Sequence, residues 1–335
     1  MSTLNRPDVP HITVILSTYN RCAVLAKTLD NFSSLDCSGL RWNLVVVNNN
    51  CSDTTDQVCS KFLKTLPLTV IFEEKPGKNR ALNNALDNAE IGDVVLFTDD
   101  DVAPPKDWLV TVVESLRRYP ETKAFGGPVH MVWPDSAPGW AKSLEKVIYP
   151  QHDYGPDDRT YSQGSYPIGP NFWVRSNLFK ERGFRYNERI GPVPDGRKRI
   201  MGSETSFLQM LKDNGFEIRY VSGCSVGHYV TEEQIVPDYV RKRAKTHGRY
   251  LAHVAPSFDN ESLYRKSKFL WKLNKMAACI KNAAAGQLAR LDSDLSRRYR
   301  KQVEACRWLA FNLAYLNSHR EIWTEKISDS NKRKT

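Results

Sequence analysis

Along the first 120 residues, short near-continuous apolar runs alternate with stretches in which apolar residues recur every three or four positions. The runs "HITVILSTYN", "WNLVVVNNN", "LTVIFEE" and "DVVLFT" have the length and β-branched content of buried strands. Between and after them, Leu25, Leu29 and Phe32 share one helical face, a second helix runs around "TTDQVCSKFLKTL", Leu82, Ala85, Leu86 and Ala89 align on a third, and Leu109, Val112, Val113 and Leu116 on a fourth. Four such alternations predict right-handed βαβ units and a parallel sheet covered on both faces, hence an α/β fold.

The rhythm then changes. Between Phe125 and Val193 the chain is rich in Gly, Pro, Trp and Tyr with little periodicity, and it reads as loops and short strands over a site. "ETSFLQMLKDNG" is a helix with Phe207, Leu208 and Leu211 on its buried face and Gly215 placed as its C-terminal cap, and "FEIRYVS" is one more strand. From about Asp238 to Trp323 the pattern is helical again, with Phe269, Leu273, Met276 and Ile280 on one stripe and lysines 268, 272, 275 and 281 elsewhere around it. The resulting division is a domain over residues 1–235 (halves at about 11–120 and 121–235), a basic helical region over 236–325 and a disordered tail over 326–335.

Composition adds two constraints. No segment approaches the roughly 20 uninterrupted apolar residues of a spanning helix, so neither such a helix nor a signal peptide is expected. The seven cysteines form no C-x-x-C pair, and an odd, scattered set suits a reducing, cytosolic setting better than a disulfide framework. The net charge of +10 is unevenly distributed: through Val230 there are 26 Lys+Arg against 27 Asp+Glu, and from Thr231 onward 22 against 11. Such a basic block serves nucleic acid, an anionic membrane surface or a polyanionic substrate, or is simply a solvated helical face.

Ligands of open parallel sheets bind beyond the carboxyl ends of the strands. Three strands here end in polar clusters: "STYNR" (Ser17, Thr18, Tyr19, Asn20, Arg21), "NNNCSD" (Asn48 to Asp53) and "TDDDV" (Thr98 to Val102). Any one of them suits a turn or a helix cap; three at successive strand ends point to a small-molecule site. The adjacent aspartates Asp99, Asp100 and Asp101 repel one another unless a cation offsets them, and a hard divalent ion held by one or two carboxylates and diphosphate oxygens does so. "EKPGKNRAL" is no Walker loop, but it offers Lys78 and Arg80 at a helix start as phosphate partners.

The motifs "VILSTYNR", "LVVVNNNCSDTT", "GKNRALNNAL" and "VVLFTDDDV", followed in order by "GPNFWVRSNLFKERGF", "GSETSFLQML" and "GHYV", resemble the family 2 glycosyltransferases, inverting enzymes of the GT-A fold. The resemblance covers roughly residues 11 to 250. It implies a Rossmann-like, mostly parallel sheet flanked by helices, a nucleoside-diphosphate sugar donor with UDP-sugars favoured, and Mn²⁺ or Mg²⁺ as cofactor. By the same resemblance Ser17, Thr18, Tyr19 and Arg21 belong to the donor site and Asn48 stands where the family usually has aspartate, which leaves the base less certain because an amide presents either polarity. Asp99 meets the ribose, Asp101 the metal, Asp100 assists either, Lys78 meets phosphate, and His228 completes the metal or diphosphate site unless it is a structural histidine.

The family's Glu-Asp pair before a helix fits "GSETSFLQML" with Ser203 for its glutamate and Glu204 for its aspartate. Glu204 is then the catalytic base, with Asp195 in the preceding loop as a backup and with complementing the helix dipole as the plainer role of Glu204. The expected acceptor is a saccharide, lipid-linked saccharide or polysaccharide, and no nucleic acid is expected as a partner. The expected location is cytoplasmic, with an anionic inner membrane face as a place of peripheral attachment for the basic helices. Two other classes remain: a nucleotidyltransferase, which normally has a Gly-rich basic loop that "STYNRCAVL" lacks, and a non-catalytic sugar- or polyanion-binding protein.

Overall fold

The computed structural model describes residues 9–191, 202–254 and 268–332. Two compact units are formed, one by Met1–Val132 with Pro150–Val230, the other by Trp133–Tyr149 with Thr231–Thr335.

In the first unit, strands β1 (His11–Thr18), β2 (Arg41–Asn48), β3 (Leu68–Phe72) and β4 (Val94–Phe97) alternate with helices α1 (Cys22–Ser33), α2 (Thr55–Phe62) and α3 (Lys78–Asn88). A short strand β5 (Val102–Ala103) precedes α4 (Trp108–Arg118). The four long strands lie in the order β3-β2-β1-β4, every neighbouring pair parallel. Chain direction across the sheet therefore reverses between β1 and β4, the switch point at which such sheets open a crevice at their carboxyl edge. Alternation along β1 sends Ile12, Val14 and Leu16 to a core shared with Leu25, Leu29 and Phe32 of α1 and with α4. Ile15 faces the opposite core, with Ala81, Leu82, Ala85 and Leu86 of α3.

Beyond β4 the sheet continues through residues whose periodicity is weak. Strand β9 (Phe172–Arg175) runs antiparallel between β4 and β6 (Ala124–Gly126), and β10 (Ile218–Tyr220) is parallel to β6, with β8 (Arg159–Thr160) at the edge. Phe172 and Trp173 are fully buried, and Phe97 meets Phe172, Phe179, Tyr186 and Phe207 ring to ring. Helix α7 (Ser203–Asp213) follows the short α6 (Asn177–Lys180) and buries Phe207, Leu208 and Leu211. It ends as expected. Gly215 takes φ +83° and the Phe216 N–H donates to the Leu211 carbonyl, the closing bond of a Schellman cap.

A small second sheet, β5-β11-β7, places β11 (Val226–Tyr229) antiparallel to β5 and parallel to β7 (Val129–Val132). His228 lies opposite Val102 in that pairing.

The second unit holds α5 (Gly139–Lys142) and the long helices α8 (Pro237–Val254), α9 (Lys268–Leu288) and α10 (Leu295–Lys332). Trp140 of α5 packs on Tyr299 of α10 with ring centroids 4.3 Å apart, and Phe311 joins Ala252 in a small core. Helix α9 departs from the expected stripe. Met276 and Ile280 are 55% and 70% exposed, whereas Lys275 is buried with its ammonium 5.5 Å from the Phe311 ring. The lysine stem covers apolar surface while its charge faces an aromatic ring, so one turn of the helix presents its lysine inward and its apolar residues outward. The side chains of Phe269, Trp271, Leu273 and Tyr315 lie outside the described residues. No helix among the described residues is long and apolar enough to cross a membrane, and all seven cysteines are free thiols.

Candidate active site

The carboxyl ends of β1, β2 and β4 bring their polar clusters to one rim. Two non-glycine residues there take left-handed conformations, Asn20 at φ 52° and Asn50 at φ 59°. Asparagine tolerates that region better than most side chains, and Asn20 uses its own Oδ1 to accept the Ser52 N–H at 2.7 Å, tying the β1 and β2 loops together.

The three aspartates diverge to different partners. Asp100 is buried; it accepts from the Thr18 hydroxyl at 2.7 Å and from Arg21 Nη1 at 2.5 Å. Asp101 is also buried; it accepts from Arg21 Nη2 at 2.6 Å, and His228 Nε2 lies 2.9 Å from its other oxygen. Asp99 takes Lys78 Nζ at 2.6 Å, and the same ammonium reaches Glu204 Oε1 at 2.8 Å. The guanidinium fork thus spans two carboxylates, and a single lysine bridges a carboxylate of the triad to the carboxylate at the start of α7.

Electrostatics follow from this pairing. Burial raises Asp100 to about 7 against the pull of Arg21, with Asp101 adding to the rise. Burial alone would raise Asp101 too, but His228 and Arg21 together hold it well below the ordinary carboxylate range. Burial opposes the charged forms of Arg21, Lys78 and His228, yet the surrounding carboxylates hold all three above their ordinary values. The repulsion among like charges is therefore offset from within the chain.

Some supports were not singled out from the sequence. Thr28, on the buried side of α1, donates its hydroxyl to the Asp100 carbonyl at 2.9 Å and accepts the Val102 N–H at 3.1 Å, which fixes the turn carrying the aspartates. Its signal was a polar residue among Leu25, Leu29 and Phe32. Gly169 is the second: a Cβ there would stand 2.6 Å from Glu204 Oε1 and 3.3 Å from Lys78 Nζ.

The remaining sequence candidates are placed as follows. Asn48 is buried with both ends of its amide engaged, Nδ2 donating to Asp56 in the first turn of α2 at 2.6 Å and Oδ1 accepting the Cys51 N–H at 2.8 Å. Ser17 is half-buried and Tyr19 is 39% exposed at the rim. Arg80 pairs with Glu188 at 3.0 Å. Asp195 lies outside the described residues.

Asp99, Asp101 and His228 each offer one ligand atom, and these atoms all lie within 4.8 Å of one another. The donor set fits a divalent ion: two carboxylate oxygens suit Mn²⁺ or Mg²⁺ and an imidazole suits Mn²⁺ better. The second ring nitrogen of His228, Nδ1, is buried without a hydrogen-bond partner among the described residues.

The mostly parallel sheet flanked by helices, with its carboxylates at the switch point, has the GT-A architecture of the glycosyltransferases it resembles among solved structures. The chain belongs to glycosyl transferase family 2, whose family model matches residues 13–183. It is 23% identical over 298 residues to the glucosyl-dolichyl phosphate glucuronosyltransferase of Haloferax volcanii, covering 84% of this chain and 90% of that protein. It is 29% identical to the probable glycosyltransferase YdaM of Bacillus subtilis, covering 64% of this chain and 50% of the relative, so the match spans half that protein's length. Among solved structures it resembles the mannosyltransferase PcManGT of Pyrobaculum calidifontis in complex with GDP-Man and Mn²⁺, at TM-score 0.58 and 20% identity over 92% of this chain and 87% of that one.

Proposed function

We propose that the chain is an inverting glycosyltransferase that moves a sugar from a nucleoside-diphosphate sugar to an acceptor hydroxyl, with Glu204 as general base. The observation that carries the reading is the Asp99–Lys78–Glu204 bridge, which holds a carboxylate on α7 beside the aspartate triad. Lys78 donates to Glu204 Oε1 at 2.8 Å and so positions the carboxylate that accepts the acceptor hydroxyl proton. As that proton leaves, the acceptor oxygen bonds to the anomeric carbon from the face opposite the bond to the diphosphate, which breaks, and the anomeric configuration inverts. Arg21 and Lys78 hold the carboxylates in place at the rim where the diphosphate departs. A divalent ion on Asp99, Asp101 and His228 would stabilise the negative charge growing on that leaving group.

For the donor, a UDP-sugar is the first to try and a GDP-sugar the second, the latter because the mannosyltransferase of similar fold was solved with GDP-Man. For the acceptor, the Haloferax relative, a glucosyl-dolichyl phosphate glucuronosyltransferase, supports a lipid-linked saccharide. Exposed Met276, Ile280, Leu288, Leu291 and Leu313 in a unit with excess Lys and Arg support attachment to an anionic bilayer surface.

The test is donor turnover with NMR assignment of the new linkage. An α-linked donor yields a β-linked product, and Glu204→Gln lowers the rate by about two or more orders of magnitude while donor affinity stays near wild type. Retention of configuration, or a Glu204→Gln enzyme as fast as wild type, sinks the assignment.

A further inference from the structure

The second unit contains a cavity of about 630 Å³ walled by α8, the end of α9 and the first turns of α10. Its size is that of a small-molecule site. Four cations line it, Arg241, Lys245, Arg290 and Arg298, and among the described residues no aspartate or glutamate does. Asn282, Gln287, Gln302 and Tyr299 add neutral hydrogen-bonding groups.

Two of the cations are already engaged elsewhere. Arg241 pairs with Asp238, and Arg298 donates its Nε to the Asp292 carbonyl at 2.6 Å, which orients its guanidinium. Lys245 and Arg290 have no ion-pair partner among the described residues. Like charges gathered on one concave wall without carboxylates repel one another, and an anion bound among them relieves that repulsion. Arginine forks match phosphate oxygens two at a time, and amides and a phenol complete the acceptor demand of a phosphate.

We propose that this cavity is a binding site for a phosphate or diphosphate group, carried either by a soluble ester or by a lipid headgroup. It stands apart from the catalytic reading, and its failure would leave that reading untouched. Cys306 lines the same cavity and provides a local reporter. The experiment is alkylation of the full-length chain with iodoacetamide, reading Cys306 by peptide mapping, in the presence of inorganic pyrophosphate, phosphatidic acid vesicles or phosphatidylcholine vesicles. Potassium chloride at matched ionic strength is the control.

Pyrophosphate or phosphatidic acid slows modification of Cys306, and Lys245→Gln/Arg290→Gln raises the concentration needed at least about tenfold, since charged hydrogen bonds are removed. Those two substitutions break no ion pair among the described residues, and Arg290→Lys retains most of the protection. Protection by pyrophosphate assigns a soluble ligand; protection by phosphatidic acid alone assigns a headgroup. The proposal is overturned if neither protects Cys306 at about 10 mM phosphate groups, if the chloride control or phosphatidylcholine protects equally, or if the double variant is protected like wild type.

Discussion

The rim of the parallel sheet and the cavity among the C-terminal helices are both rich in charge, and they handle it in opposite ways. At the rim, Arg21 and Lys78 are each clasped between two carboxylates at 2.5 to 2.8 Å. In the cavity, four cations share a wall with no carboxylate, and two of them have no ionic partner among the described residues. A paired cluster fixes its members against one another; an unpaired one leaves a repulsion that solvent screens and a bound anion would lower further. The difference separates charge balanced by partners within the chain from charge left to solvent and counter-ions.

The sharpest break of this contrast is at Asp101. Asp101→Ala removes the acceptor shared by Arg21 and His228 and one member of the metal-competent set, and transfer should fall at least about a thousandfold, the equivalent of several kcal/mol of charge stabilisation. Steady-state rates at saturating donor and Mn²⁺ measure it, and titration of nucleoside diphosphate with and without Mn²⁺ should show the metal dependence gone. A smaller effect is expected from Gly169→Ala. The added Cβ pushes Glu204 off its position beside Lys78 without touching any charge, so kcat should drop by about 10- to 100-fold while donor affinity holds. An unchanged kcat would show that the pairing at Glu204 need not be so tight.

Acid should weaken both units. Burial lowers His152 to about 4, Asp153 only partly opposing it, and burial with Arg307 and Arg243 lowers His247 to about 4. In each case the unfolded chain binds a proton near pH 6.5 and the folded chain does not until about 4, so stability present above 6.5 is lost as pH falls through that window. The loss is at most about 3 kcal/mol at His152, whose ring accepts or donates to Tyr161 at 2.8 Å. Denaturant midpoints from pH 7 to 4 should slope less steeply in His152→Gln.

The smallest contrast is the most direct. Arg21→Gln strips two buried carboxylates of a shared partner and should cost about 1–2 kcal/mol, discounted because the arginine itself is partly exposed, with Mn²⁺ restoring part of it. Lys245→Gln should change stability by no more than about 0.5 kcal/mol, or raise it. Chemical unfolding of the two variants side by side gives the comparison, and equal losses would erase the distinction drawn between the regions.

Much of the fold was legible because each element is a local pattern. Leu25, Leu29 and Phe32, Leu109, Val112, Val113 and Leu116, and Phe207, Leu208 and Leu211 are all buried as their 3.6-residue spacing requires. Strand endings placed Thr18, Arg21, Asp100 and Asp101 at one rim for the same reason, since parallel neighbours must share their carboxyl edge. The helix dipole role weighed for Glu204 and its place beside the triad are compatible, because its carboxylate sits in the first turn of α7 and also reaches Lys78.

What the tertiary structure alone decided is which distant pieces meet. Strand β9 enters the sheet between β4 and β6 from a stretch with almost no periodicity, because four residues are too few to show a period and aromatic packing selects them. The β5–β11 pairing carries His228 to Asp101, and Lys78 reaches Glu204 126 positions further along the chain, contacts that no local spacing encodes. Asn48 stands at the end of β2, and the fold decides that its amide meets Asp56 and the Cys51 N–H. On α9, the helical period was right in kind, but which side faces the neighbouring helix was set by Phe311 accepting Lys275, leaving Met276 and Ile280 outside. The sequence by itself determined the elements, their faces and the edge where charge gathers, because those depend on neighbours along the chain. Pairing partners, inward faces of the long helices and the four-cation cavity depend on neighbours in space, and packing decided them.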